Sequence, residues 1–192
     1  MKFYFATTNT KKFNEIQSLI QLPMTQLSLS IPEIQGSTEE IAINKAKAAF
    51  KHVDENSIVL VDDVSLELIG LNGFPGPYIK DFLKMGYDEI ERVVAALGRE
   101  AVAQCTLAIC YINSAGVITS HAVAGRISGE IIKSNAECSK SMAFDRVFRP
   151  TGFLQTFAEM KFEEKNVISH RGIAVKKLID LMDKLGLYDQ IK

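Results

Sequence analysis

Two adjacent carboxylates, Asp62 and Asp63, close the apolar run IVLVDD, and a third, Glu33, lies in a loop ahead of a helical segment from which it can join them in space. Mg2+ takes hard oxygen ligands and typically uses one or two protein carboxylates plus substrate phosphates, so this supply suffices for a metal–triphosphate site. Solvated acids in a strand-end turn are the competing reading, and locally the commoner one. A second signal is electrostatic. Helix N-termini favour acidic side chains, yet Lys11 and Lys12 open the first helical segment and His170 and Arg171 open the last. A phosphate resolves that conflict, because free backbone N–H groups, the helix dipole and the cations would converge on it. For either helix alone, solvated charges tolerating a penalty of ~0.3–1 kcal/mol explain the pattern equally well. Lys45 is the third signal. It lies four residues after Ile41 and four before Ala49, on their helical face, so it either snorkels or meets an anion, and spacing alone favours snorkelling.

Other chemistries are excluded more firmly. The chain contains no GxxxxGK[ST], GxGxxG or HExxH pattern, which removes the commonest alternative phosphate and zinc sites. Cys105, Cys110 and Cys138 are odd in number and lack a CxxC pair, which argues for reduced thiols rather than a zinc site or a disulfide framework. His52 and His121 are assigned to structure or surface. A net charge of −1 excludes the generally basic surface that binds nucleic-acid backbone, so an anionic ligand must be met by locally placed Lys and Arg. MKFYFATTNTKKF turns polar too soon for a secretory segment, and no apolar run approaches the ~20 residues of a membrane span. The expectation is a soluble, cytoplasmic protein without nucleic-acid or membrane partners.

The elements that must position these residues read as follows. Lys2 to Ala6 is a short buried strand, and a helix from about Thr10 carries Phe13, Ile16, Leu19 and Ile20 at a 3.6-residue period. Gln26 to Ile31 alternates like a strand, and Ser37-x-x-Glu40 is a capping box opening a helix to about Lys51. Ile58 to Val61 fits a buried central strand ending at Asp62-Asp63. GLNGFPGPY is a loop, followed by helices at Ile79 to Met85 and Asp88 to Leu97. Ala101 to Ile112 and Val117 to Ala124 form a hairpin, Lys133 to Lys140 a polar loop, and Ser169 caps a final helix closed by Gly186. With 192 residues, 47% of them hydrophobic, the chain is expected to form one α/β domain, residues 1–192, on a mixed sheet.

Several distinctive blocks occur together and in order: ATTNTKKFNE, then LVDDVSLELIGLNGFPGPYIKDFL, then FDRVF, TFAEM and EEKNVISHRG. In these blocks, from Ala6 to about Lys177, the chain resembles the inosine triphosphate pyrophosphatase family, especially its eukaryotic branch. The resemblance implies an elongated mixed β-sheet with flanking helices, two lobes around a central nucleotide cleft, and a homodimer. It implies cleavage of non-standard purine nucleoside triphosphates (ITP, dITP, XTP) between the α- and β-phosphates, cleansing the nucleotide pool, with Mg2+ as cofactor and Mn2+ as a substitute. Carried over position by position, Thr7, Thr8, Asn9, Thr10, Lys11 and Lys12 cradle the triphosphate, with Lys12, Lys45, Lys80 and Lys165 as charge partners. Glu33 and Asp63 match metal ligands. Asp63 also matches the proton acceptor, and Asp62 the adjacent acid that orients water or metal. Met142, Ala143, Phe144 and Asp145 match the segment bordering base and sugar, and His170 and Arg171 the residues that contact the base.

Three departures fall at consequential positions. Thr8 stands where the family has glycine, Val64 where a Ser or Thr follows the metal-binding acid, and Met142-Ala143-Phe144-Asp145 where Phe-Gly-Trp-Asp is usual. They motivate one alternative, a nucleotide-binding module that has lost catalysis, against which stand the retained Glu33, Asp62, Asp63 and Lys12. Another alternative, a Maf-like pyrophosphatase of other nucleotide specificity, is opposed by the ISHRG and GFPGPYIK segments.

Overall fold

The computed structural model describes residues 1–133 and 144–191. It contains a seven-stranded sheet in the order β2-β1-β3-β5-β6-β7, with β4 paired to β3, flanked by helices. The chain divides into two compact units: Met1–Asp63, Cys105–Gly125 and Arg171–Lys192 form unit 1, and Val64–Gln104 and Arg126–His170 form unit 2.

In unit 1, β1 (Lys2–Ala6) runs parallel to both β2 (Thr25–Leu27) and β3 (Ser57–Leu68), and α1 (Thr10–Ile20) and α2 (Thr38–Phe50) follow β1 and β2 in sequence. The alternating segment expected to run as a strand to Ile31 stops at Leu27. Its register explains why: Leu27 pairs with Ala6, the last residue of β1, so no strand remains beyond it to accept a ladder. Leu29 and Ile31 still pack on the unit 1 core. The Ser37/Glu40 capping box is formed, with both reciprocal bonds present. Ala42, Ala46, Ala49 and Phe50 of α2 pack with Val59 and Val61 of β3. Three alanines on one helical face bring the helix backbone close to the sheet while keeping helix propensity high.

Unit 2 has its own core, in which Leu66 and Leu68 of β3 meet Ile79 and Phe82 of α3 (Ile79–Phe82), Ile90 and Val94 of α4 (Tyr87–Leu97), and Phe148. β3 therefore does not end at Asp62-Asp63, as the apolar run suggested. VSLEL resumes strand alternation after the acids, and Leu66 and Glu67 pair antiparallel with β4 (Pro75–Gly76). β5 (Glu100–Ile112) and β6 (Ile118–Ile131) confirm the hairpin, but β6 extends past Ala124 to pair antiparallel with β7 (Phe148–Pro150). Gly129 makes this pairing possible, since a Cβ there would lie 2.3 Å from the Arg149 carbonyl oxygen. Neither β7 nor α5 (Phe162–Ile168) was expected, each being too short to show a period. The final helix, α6, spans His170–Lys184. Among the described residues no helix is long and apolar enough to cross a membrane.

Candidate active site

Successive side chains of a strand point to opposite faces, so β3 sends its two adjacent acids in opposite directions. Asp63 continues the face of Val59 and Val61 and meets Lys45 of α2; Asp62 meets Lys12 of α1 and Arg171 of α6. Both acids are buried, at 4% and 6% relative exposure, which overturns the picture of solvated acids in a turn. An unpaired charge at such depth is prohibitive, and each carboxylate has its counter-ion.

On the Asp62 side, Lys12 Nζ lies 2.9 Å from Asp62 Oδ2, and Arg171 reaches the same oxygen at 3.5 Å through Nη2. Arg171 Nη1 donates to Glu15 Oε2 at 2.8 Å. Burial works to raise the Asp62 pKa, but Lys12 and Arg171 outweigh it and hold the carboxyl at about 2. Asp62 is thus a permanent anion that fixes two cations. Glu15 was not anticipated, although its place three residues after Lys12 puts both on neighbouring positions of α1.

On the Asp63 side, Lys45 does not snorkel. Its ammonium donates to Glu33 Oε1 at 2.9 Å, to the Asp62 carbonyl at 3.3 Å and to Asp63 Oδ1 at 3.4 Å. Three acceptors for three N–H groups make a buried charge tolerable at a position whose spacing suggested an exposed head. Burial pushes the Asp63 carboxyl up to about 6, with Glu33 and Asp62 adding to the rise and Lys45 opposing it. One chain position thus separates a carboxyl held low by its cations from one pushed up by burial.

The Thr7 to Lys12 loop differs from expectation in its amides. Asn9 caps α1, its Oδ1 accepting from the Lys11 and Lys12 N–H groups at 3.0 and 3.2 Å, while Thr7 Oγ1 accepts from the Asn9 N–H. Those three amides are therefore occupied rather than free for an anion. Thr8, Thr10 and Lys11 are exposed.

Other expected residues lie in unit 2. Lys165 Nζ pairs with Asp145 Oδ2 at 2.7 Å and sits 5.7 Å from the Phe157 ring centroid. His170 is buried between Phe144 and Phe157, with ring centroids 5.5 and 5.6 Å away, and Phe157 in turn meets Phe148 at 5.1 Å. Phe157 belongs to the TFAEM block, whose sequence by itself carries no sign of this ring contact. Thr156 donates through its N–H and hydroxyl to Glu159, a small turn that aims Phe157 inward. Lys80 is exposed on α3, Val64 packs against the unit 2 core, and Met142 and Ala143 lie outside the described residues. Cys105 is buried, its thiol pushed up to about 12 by burial, and so it is inert at neutral pH.

Among the described residues no group of three or more His, Cys, Asp and Glu side chains could hold a metal. Glu33 and Asp63 nevertheless share one cation, Lys45, and Asp63 Oδ2 is buried without a hydrogen-bond partner. Two carboxylates with an unsatisfied oxygen fit a hard divalent ion that draws its remaining ligands from phosphate and water.

Fold and site together define a mixed α/β protein whose central strand carries buried acids matched to lysines and an arginine. The chain belongs to the Ham1 family, whose model matches residues 3–181. It is 37% identical over 187 residues to an inosine triphosphate pyrophosphatase of Encephalitozoon intestinalis, covering 97% of this chain and 95% of the relative. The same-named protein of Encephalitozoon cuniculi is 38% identical over 187 residues, with 97% and 96% covered. Among solved structures, a HAM1 protein from Coxiella burnetii shares the fold at a TM-score of 0.79 and 24% identity, covering 96% of this chain and 99% of that one. The Staphylococcus aureus Ham1 protein matches at a TM-score of 0.77 and 25% identity, with the same coverage. The family expected from the sequence blocks is the one found.

Proposed function

We propose that the whole chain acts as one enzyme domain that hydrolyses non-standard purine nucleoside triphosphates, ITP, dITP and XTP, to the monophosphate and pyrophosphate. The observation that carries this reading is the opposed pair on β3: Asp62 fixing Lys12 and Arg171, and Asp63 with Glu33 around Lys45. Relatives named inosine triphosphate pyrophosphatase, at 37–38% identity over nearly the full chain, support the substrate class.

In the proposed reaction, Glu33 and Asp63 hold Mg2+, or Mn2+ in its place. When bound, the ion supplies neutralising charge to the polyphosphate and polarises a phosphoryl oxygen. Lys12, oriented by Asp62, faces the phosphates, and Lys45 lies beside the two metal-ligand candidates, so that charge developing on the leaving pyrophosphate is met by cations. Asp63 positions a water for attack on the α-phosphorus and takes its proton. A new P–O bond forms to that water, the bond to the β-phosphate oxygen breaks, and pyrophosphate leaves. A carboxyl held near 6 is closer to the working pH than an ordinary aspartate, which suits a general base.

On the family resemblance, base selection is assigned to Arg171 and His170, and Met142, Ala143, Phe144 and Asp145 match the segment bordering base and sugar. Hypoxanthine and xanthine present an acceptor O6 beside a protonated N1; adenine presents an amino donor there. Arg171, donor-only and always charged, suits O6 and faces the adenine amino group donor to donor, leaving buried groups unpaired at ~1–3 kcal/mol each. Guanine shares O6 and the N1 proton, so Arg171 does not explain its exclusion, and its 2-amino group has to be refused elsewhere. We also propose, on the family resemblance, a homodimer in the cytoplasm.

The reading is tested by phosphorus NMR of the products formed from ITP and Mg2+. IMP and pyrophosphate are expected; IDP and orthophosphate as first products would overturn the site of cleavage.

A further inference from the structure

The family resemblance gives Lys45 to the substrate phosphates, yet every proton of its ammonium is already spoken for. Nζ donates to Glu33 Oε1, Asp63 Oδ1 and the Asp62 carbonyl oxygen. The three donors of an ammonium group are matched by three acceptors, so a phosphate gains Lys45 only if a carboxylate gives it up. The same two carboxylates are those assigned to the divalent cation. Lys45 therefore stands on the ground of both incoming charges, bonded to the two metal-ligand candidates. Its side chain is 14% exposed and that of Asp63 8%, so solvent does little to screen a second cation brought against the ammonium.

We propose that Lys45 is an internal counter-cation that keeps the Glu33–Asp63 pair closed to a free divalent ion until a triphosphate draws the ammonium onto its own oxygens, so that metal and nucleotide bind cooperatively rather than independently. The charges support this. Glu33, Asp63 and Lys45 together carry −1, with every ammonium proton hydrogen-bonded. A divalent ion added alone confronts Lys45 at close range with no new anion to compensate, whereas one arriving with a triphosphate brings the anion that Lys45 can follow. The four-carbon stem gives the ammonium reach, and the ammonium is a point charge that makes and breaks contacts without the planar constraint of a guanidinium. Asp63 Oδ2, buried with no partner, marks what the closed state leaves unsatisfied. A free divalent ion thus cannot lock the site in unproductive form, and the coupling is reciprocal, because each ligand must strengthen the other by the same factor.

The inference rests on the proposed metal role of Glu33 and Asp63, and the experiment separates the two. Mn2+ binding is followed by electron paramagnetic resonance on wild type, Lys45→Met and Lys45→Arg, each alone and with the non-hydrolysable α,β-methylene analogue of ITP. Wild type is expected to bind Mn2+ weakly alone, and its affinity for the Mn2+-loaded analogue should exceed that for the metal-free analogue by about tenfold or more. Lys45→Met should bind Mn2+ alone about tenfold or more tighter than wild type, while Lys45→Arg, which keeps the charge, should not. The Mn2+-dependent rise in unfolding temperature should be larger for Lys45→Met than for wild type at the same Mn2+ concentration, since a ligand that binds only the folded state stabilises it more the tighter it binds. Unchanged or weaker Mn2+ binding by Lys45→Met overturns the counter-cation role. If Lys45→Met does not fold, wild type alone decides: metal and analogue binding without mutual enhancement sinks the proposal. Asp63→Asn reports on the underlying reading. If it binds Mn2+ with the analogue as well as wild type does, the metal assignment itself is wrong; if it loses binding while Lys45→Met shows no gain, only the counter-cation role fails.

Discussion

In unit 1, Asp62, Asp63, Lys12, Lys45 and Arg171 are held by one another's charge; in unit 2, Phe144, Phe148, Phe157 and His170 are held by shape. Both groups are largely buried, but burial means different things to them. For the rings it is the driving force, and edge-to-face and offset contacts add to it. For the charges it is a penalty that only a partner offsets, so the removal of one member strands the others. The ionic site should accordingly be intolerant of changes that preserve size, and the ring cluster comparatively tolerant of apolar replacements.

The sharpest test is Asp63→Asn, which keeps size while deleting a proposed base and metal charge. Turnover of ITP, followed by pyrophosphate release at saturating Mg2+, should fall on the order of 10²–10⁴-fold with the fold intact. Activity within about threefold of wild type would remove Asp63 from the chemistry and leave the ion pairs of β3 a purely structural device.

Next in size is the contrast in stability. Asp62→Asn leaves Lys12 and Arg171 without the anion between them and should lower the unfolding free energy by about 3–5 kcal/mol. Phe157→Leu, in the ring cluster of unit 2, should lower it by only about 1–2 kcal/mol. Urea titrations of both variants decide the matter. A milder effect for Asp62→Asn than for Phe157→Leu would show that charge pairing in unit 1 is dispensable.

The smallest expected effect concerns pH and an ion pair at the edge of unit 2. Glu91 has its pKa lowered from 4.5, chiefly by its hydrogen bond from Arg99. A carboxyl depressed in the folded state stabilises fully above its unfolded value and loses that contribution as pH falls below it. The pair is partly exposed, so its worth is no more than ~1 kcal/mol. Between pH 6 and pH 3, wild type should lose slightly more stability than Glu91→Gln, by that amount. Equal losses would show that this bond contributes nothing beyond packing.

The comparison also separates what was readable in the chain from what was not. The capping box at Ser37 and Glu40, the 3.6-residue period of α1 and the apolar run of β3 are local signals, written in residues a few positions apart, and the helices and strands they announce are present. The cations at the starts of α1 and α6 were legible as an anomaly because the helix dipole makes them one. Their resolution was not. Lys12 and Arg171 are 159 positions apart in sequence, and only the packing of α1 and α6 with β3 brings both to one oxygen of Asp62. Spacing likewise placed Lys45 on an apolar face of its helix, but whether that face ends in solvent or against Asp63 depends on which strand lies beneath it. A helical period specifies direction around one axis and carries no information about what waits there. The sequence by itself determined most of the longer elements, the family and the supply of acids and cations. The tertiary structure decided the pairing, because the free energy of a buried charge is set by its nearest counter-charge in space, and strand alternation had already sent Asp62 and Asp63 to opposite faces to find different ones.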